Sequence, residues 1–324
     1  MLYYLAPLEG ITTYVFRRAY AAVYGDADRY FTPFLASKKL GSREKNEILP
    51  EHNEGIFLVP QILANRTDTF AAIAGQIADR GYSVINLNLG CPSGTVVSHG
   101  RGAGMLADPD SLDAFLEEAF HICEGLSVCA DGSGMRLSVK TRIGIASETE
   151  WEALLPVFAR YPFEELILHP RLQQQQYGGH PSLEAYAAAL EVLKCPVCYN
   201  GDICSPADEA ALLSRFPQTE RIMTGRGILK IPDLIGRLKG TSDPDRPLRP
   251  DPIKLKAFLA QLTDGYLSVM PSEREVLFKL KDLWAFLGSS FEDLPEGHRM
   301  LKDLRKSSSV TELQNAERVL LQAL

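Results

Sequence analysis

Short apolar runs alternate with stretches of helical period from the first residues to about position 240. The runs at 3–5, 29–32, 57–61, 84–88, 136–140, 165–169, 197–200 and 221–224 are candidate strands. Several are apolar without a break, as in Leu166-Ile167-Leu168, which is the pattern of parallel strands covered on both faces. Between them, 71–78 and 112–122 place apolar residues at the helix period. Ser205-Pro206 sets a capping hydroxyl before a proline at the first helical position. Ser147-Glu148-Thr149-Glu150 has capping-box spacing. Eight strands with helices between them predict an α/β fold, a (β/α)8 TIM barrel over residues 1–240, rather than an open sheet. The pattern then breaks. Residues 240–250 are rich in Pro, Asp and Ser and predict a linker. Residues 251–324 carry helix-period patterns without a clear strand and predict a small C-terminal helical domain.

Length agrees with this division, because a barrel of about 250 residues leaves enough of the 324 residues for a second, smaller unit. No apolar run approaches the roughly 18 residues of a membrane helix, and Met1-Leu2-Tyr3-Tyr4-Leu5-Ala6-Pro7 reads as a first strand rather than a signal peptide. The six cysteines are irregularly spaced, which fits a reducing cytoplasm better than a secreted disulfide framework. A formal net charge of −7 weighs against a broad nucleic-acid footprint. Net charge is a poor guide to local fields, however. Cations gather at Lys38, Lys39, Arg43 and Lys45, and again at Arg299, Lys302, Arg305 and Lys306. Each cluster also reads as a solvated helical face. Arg299, Lys302 and Lys306 are spaced to line one face, the arrangement expected of a contact to an RNA backbone.

In a barrel, chemistry sits where strands end at the C-terminal face. Gln61, Asn88, Lys140, His169 and Asn200-Gly201-Asp202 fall at such ends on successive candidate strands. One polar residue there only ends its strand at a wet surface; a succession of them predicts a site. Asn86-Leu87-Asn88-Leu89-Gly90-Cys91-Pro92 holds a Cys between Gly and Pro at a strand exit, on a tight exposed turn. Free cysteines are more often buried small hydrophobes, the reading for Cys123 and Cys198. Cys91 stands with the polar groups instead. A thiol of ordinary pKa, about 8.5, is mostly protonated at pH 7 and can donate a proton; it can also be a nucleophile. The glycines of Ser98-His99-Gly100-Arg101-Gly102-Ala103-Gly104 predict a mobile loop that closes over a substrate, or else a plain surface loop.

Asn200-Gly201-Asp202 and Thr224-Gly225-Arg226-Gly227 follow the seventh and eighth candidate strands, where barrels bind phosphate through backbone amides. Glycine allows close approach of the anion and Arg226 adds a charge-assisted contact. Cys195-Pro196-Val197-Cys198 with Cys204 invites a zinc reading, but no second Cys pair completes four ligands, so no metal is expected.

These residues resemble, in order along the barrel, the tRNA-dihydrouridine synthase family. The resemblance rests on Ala6-Pro7-Leu8-Glu9-Gly10, Gln61, Asn86-Leu87-Asn88-Leu89-Gly90-Cys91-Pro92, Lys140-Thr141-Arg142-Ile143-Gly144, His169-Pro170-Arg171 with Tyr177-Gly178-Gly179, Asn200-Gly201-Asp202 and Gly225-Arg226-Gly227. It implies one non-covalent FMN, with Pro7, Gln61, Lys140 and His169 at the isoalloxazine and Asn200, Gly201, Asp202, Gly225 and Arg226 at the phosphate end. It implies NADPH as reductant, tRNA as substrate, hydride transfer from flavin N5 to C6 of uracil, and Cys91 as proton donor to C5. Asn88 and Arg171 are the implied substrate contacts, and the helical tail resembles the family's RNA-binding domain. Two stretches depart. Many members carry Lys just after Cys-Pro, where this chain reads Ser93-Gly94-Thr95-Val96, and His-Gly-Arg is His169-Pro170-Arg171 here. Two other readings stay open: an FMN barrel acting on a small molecule, and a non-catalytic RNA-binding barrel.

Overall fold

The computed structural model describes residues 1–126, 128, 134–241 and 248–323. Nine parallel strands form one sheet: β1 (Leu2–Leu5), β2 (Arg29–Phe31), β3 (Leu58–Val59), β4 (Gln61–Ile62), β5 (Val84–Leu89), β6 (Arg136–Thr141), β7 (Leu166–Leu168), β8 (Val197–Tyr199) and β9 (Arg221–Thr224). The order is β3-β2-β1-β9-β8-β7-β6-β5-β4. The two ends of that order, β3 and β4, are consecutive in the chain and separated only by Pro60. One extended segment therefore pairs with β2 on one side and with β5 on the other, and the sheet closes on itself. Pro60 lacks an N–H and interrupts the ladder, while its carbonyl still accepts from Asn86 N at 2.9 Å. The expected eight-stranded barrel is present, with its third strand split at this proline.

Helices follow the strands as the periodicity predicts, among them Thr67–Ala78, Pro109–Glu124, Glu150–Ala159, Leu183–Val192 and Pro206–Arg215. Ser205 caps the last of these, its Oγ accepting from Asp208 N at 3.2 Å. The Ser147–Glu150 motif forms half of a capping box: Glu150 Oε1 accepts from Ser147 N at 3.0 Å, but the Ser147 hydroxyl turns to Thr149.

Inward side chains alternate along the strands. Tyr4, Phe31, Val59, Val84, Ile167, Cys198 and Met223 form the apolar core. Below them, at the N-terminal ends of the strands, fully buried Glu165 accepts from Tyr4 Oη at 2.9 Å and Arg29 Nη1 at 2.7 Å, with Arg221 Nη1 at 3.1 Å. Both oxygens of that carboxylate are bonded, which is what makes a buried charge tolerable. The inward phase of β4 to β8 then runs upward into Gln61, Asn88, Lys140, His169 and Asn200.

The chain divides into two compact units. The first comprises residues 1–7, 28–201 and 213–223; the second comprises 8–27, 202–212 and 224–324. The second thus gathers the helix Tyr14–Val23 with the C-terminal helices Pro252–Val269, Glu273–Leu287, Gly297–Lys306 and Val310–Leu321. Phe16 meets Phe258 edge-on at 5.3 Å, and Tyr20 Oη donates to the Pro232 carbonyl at 3.0 Å. Trp284 Nε1 donates to Glu317 Oε1 at 2.7 Å inside this cluster. Of the expected linker 240–250, residues 242–247 lie outside the described residues. No helix among the described residues is long and apolar enough to cross a membrane.

Candidate active site

The site starts from a relay of side-chain amides across β4, β5 and β6. Ser138 Oγ accepts from Asn86 Nδ2 at 2.9 Å, and Asn86 Oδ1 accepts from Gln61 Nε2 at 2.8 Å. Gln61 Oε1 in turn accepts from Asn88 Nδ2 at 2.8 Å. Each carboxamide is thereby locked in one orientation. The relay ends on backbone: Asn88 Oδ1 accepts from Gly90 N at 3.1 Å and from Cys91 N at 2.9 Å. Asn88 therefore shapes the turn that carries Cys91.

Cys91 is half-buried, and its carbonyl accepts from Ala103 N at 3.1 Å. A Cβ on Gly102, whose φ is +57°, would stand 3.0 Å from Cys91 Cβ and 2.9 Å from Val96 Cγ1. A Cβ on Gly104 would stand 2.8 Å from the Val97 carbonyl. The glycines read as a sign of loop mobility thus serve close packing under the Cys91 turn, with Ala103 and Leu106 buried. The stretch that lacks the family's Lys is the short helix Gly94–Val97.

Lys140 lies beside Asn88 in register, with Ile167 on its other side. No hydrogen bond or ion pair holds its ammonium among the described residues. Burial, and then the nearby Arg142 guanidinium, push it down to about 8. His169 is buried, and Arg171 Nη1 lies 3.2 Å from its Nε2. A guanidinium only donates, so Nε2 accepts and the neutral ring carries its proton on Nδ1. Arg171 N reaches the His169 carbonyl at 2.7 Å, a tight turn centred on Pro170 whose fixed φ suits it.

Arg171 is itself fully buried, with Nε on the Gly178 carbonyl at 3.1 Å and Nη2 on that of Gly179 at 2.8 Å. Arg142, also buried, donates to the carbonyls of Gly90, Leu172 and Gln176 at 2.9, 2.9 and 2.8 Å. On β8, Asn200 Nδ2 donates to the Met223 carbonyl at 2.8 Å. A Cβ on Gly201 would stand 2.8 Å from Tyr199 Oη and 3.1 Å from Pro181 Cγ, so a side chain there would have to displace them. Pro7, half-buried, follows β1.

In the second unit, Asp202 takes a left-handed backbone with φ +40° and pairs with Arg226 at 2.5 Å. Gly225 precedes the short helix Arg226–Lys230. A Cβ on Gly227 would stand 2.4 Å from the Ile203 carbonyl, an internal requirement for glycine. Burial pushes Cys195 up to about 11 and raises Cys198 and Cys204 as well. No group of three ligating residues stands ready for a metal among the described residues.

A profile of the dihydrouridine synthase family matches residues 4–320. The chain belongs to that family. Its members are oxidoreductases, and this chain is one of them. It is 26% identical over 244 residues to the tRNA-dihydrouridine(16) synthase of Ralstonia nicotianae, covering 73% of this chain and 72% of that protein. A probable tRNA-dihydrouridine synthase of Rhizobium leguminosarum is 29% identical over 247 residues, covering 75% of this chain and 73% of the other. Among solved structures, histamine dehydrogenase from a Rhizobium species aligns with TM-score 0.57 at 13% identity, over 80% of this chain and 48% of that one. A morphinone reductase variant in complex with tetrahydroNAD aligns with TM-score 0.53 at 9% identity, over 75% and 87%. At such identities these structures attest the fold alone.

The resemblance implies Asn88 and Arg171 as substrate contacts; in the fold Asn88 is bonded to Gln61, Gly90 and Cys91, and Arg171 to His169, Gly178 and Gly179. Arg142 lies within a stretch that carries the resemblance but with no role implied for it, and Gln173 and Ser138 are not among the sequence candidates. Ser138 was within reach, since it shares the inward phase of β6 with Lys140.

Proposed function

We propose that this chain is a flavin-dependent tRNA-dihydrouridine synthase that reduces uridine to 5,6-dihydrouridine with NADPH, with Cys91 giving the proton to C5. One observation carries the reading: the Asn88 carboxamide that fixes the Cys91 turn sits in register beside Lys140, an ammonium with no bonded partner among the described residues. A half-buried, unpartnered cation fits an anionic group better than it fits an unliganded pocket. FMN suits that donor set, and when bound it would supply the hydride for C6 of uracil.

Lys140 would then face the flavin and stabilise negative charge. His169, its tautomer held by Arg171, would offer Nδ1–H as a donor to the same ring system. Pro7 and Gln61 would border the ring, and Asn200, Gly201, Asp202, Gly225 and Arg226 would hold the phosphate end. Arg226 already carries Asp202 as counter-charge, so its phosphate contact would be shared with that pair. Cys91 holds the proton on Sγ and must stand within hydrogen-bond reach of C5. Uracil stacked in folded RNA has to be turned out to meet it. Asn88 keeps a second amide hydrogen for the uracil edge, and Arg171, beside His169, would be the second contact to the substrate. The exposed face of Gly297–Lys306 that carries Arg299, Lys302 and Lys306 would touch the RNA backbone. A tRNA substrate goes with a cytoplasmic location.

The test is the purified protein, which should be yellow and release flavin on denaturation. Cys91→Ala should keep its flavin and its NADPH-driven flavin reduction. Reduction of tRNA should fall by about 10²- to 10⁴-fold, the usual weight of general acid catalysis. A Cys91→Ala protein that reduces tRNA at the parent rate would remove Cys91 from the chemistry, and activity on free pyrimidines alone would remove tRNA.

A further inference from the structure

The Cys91 turn is fastened to a second loop by two side chains that the reading above leaves without a role. Arg142 donates Nε to the Gly90 carbonyl at 2.9 Å, on one side of Cys91. Gln173 donates Nε2 to the Pro92 carbonyl at 2.9 Å, on the other side. Both reach into the loop 171–179. Gln173 belongs to it, and Arg142 spends its two remaining nitrogens on the carbonyls of Leu172 and Gln176. Gln176 takes a left-handed backbone with φ +49°, a conformation that a non-glycine residue keeps only when its surroundings insist. The Arg142 guanidinium also lies 5.8 Å from the Tyr177 ring centroid. Arg142 is 1% exposed, so water cannot stand in for these bonds.

We propose that Arg142 and Gln173 are positioning residues that set where the Cys91 thiol stands, by tying the carbonyls on either side of it to the loop 171–179. The inference rests on Cys91 as proton donor. Asn88 fixes the amide side of the turn and the clamp fixes the carbonyl side. With both in place, the backbone that carries the thiol is held from both sides. Without the clamp the turn keeps its Asn88 bonds but loses those that hold its carbonyls. A displacement of about 1 Å costs about 10²-fold in a reaction that depends on near-attack geometry.

The experiment is a double-mutant cycle on the flavin-loaded protein, read as single-turnover reduction of tRNA isolated from cells lacking the gene. Gln173→Ala should keep its flavin content and its reduction by NADPH, and slow tRNA reduction by about tenfold; Arg142→Ala should slow it by about 10²-fold. In a Cys91→Ala background neither change should slow the reaction further, because the group that the clamp positions is gone. Losses that multiply with that of Cys91→Ala overturn the clamp, since they belong to a general structural defect. Parent rates for both single variants overturn it too. Should Arg142→Ala fail to fold, the Gln173→Ala arm decides alone. A Cys91→Ala protein that reduces tRNA at the parent rate overturns instead the reading of Cys91 on which the inference rests.

Discussion

Lys140 brings a charge into the barrel mouth with no bonded counter-charge among the described residues, and that arrangement is costly. Its ammonium is pushed from 10.5 down to about 8, mainly by burial. The unfolded chain then holds a proton between about 8 and 10.5 that the folded chain has lost. Stability without flavin should therefore rise with pH across that window. Lys140→Met should raise the melting temperature of the flavin-free protein at pH 7, a gain on the order of 1–3 kcal/mol. The same variant should hold flavin more weakly, and most weakly in its reduced form. Calorimetry on the stripped protein and flavin titration would show both. A variant that gains neither stability nor loses flavin would mean that Lys140 already has a partner.

At the scale of the element, Glu317 on Val310–Leu321 behaves in the opposite sense. Burial raises its carboxyl from 4.5 to about 7, against the lowering effect of the Trp284 bond. Between those values the folded state holds a proton that the unfolded state has released. Its stabilising contribution is fully present below 4.5 and is lost as pH rises through about 7. Glu317→Gln keeps an acceptor for Trp284 Nε1 and carries no charge. It should stabilise the protein above pH 7 by on the order of 1–2 kcal/mol and flatten the pH dependence, as urea unfolding at several pH values would read.

The strand exits were legible because each polar residue ends a short, mainly apolar run, unbroken in Leu166-Ile167-Leu168 before His169. The core phase was legible because the alternation in β5 and β6 is strict. Pro60 could have been read as a break, since proline cannot donate to a ladder. What was not legible depends on distance in sequence. Arg142 reaches Leu172 across 30 positions, and Gln173 reaches Pro92 across 81. No local pattern encodes such bonds. The glycines at 102 and 104 were visible, but whether they serve motion or contact is decided by Cys91 and Val97, which only the fold brings near.

For the whole molecule, a formal charge of −7 has to be reconciled with the polyanionic substrate proposed for it. Arg299, Lys302 and Lys306 lie exposed on Gly297–Lys306, where Met300, Leu301 and Leu304 take the buried side. Arg299 is already paired with Glu296, which leaves Lys302 and Lys306 as the cations that the RNA reading needs most. Reversing both to Glu should weaken tRNA binding and lower the slope of log affinity against log salt by about 2. Flavin content should not change. Unaltered affinity at low salt would make this face a merely solvated one and move the search to Lys38, Lys39, Arg43 and Lys45.

The central claim is that this chain makes dihydrouridine through Cys91, and it can be read directly in RNA. Mass spectrometry of tRNA from cells with and without the gene should show one or more dihydrouridines missing in its absence. They should be restored by the intact gene and not by the Cys91→Ala form. An unchanged dihydrouridine map, or full restoration by Cys91→Ala, would contradict the account.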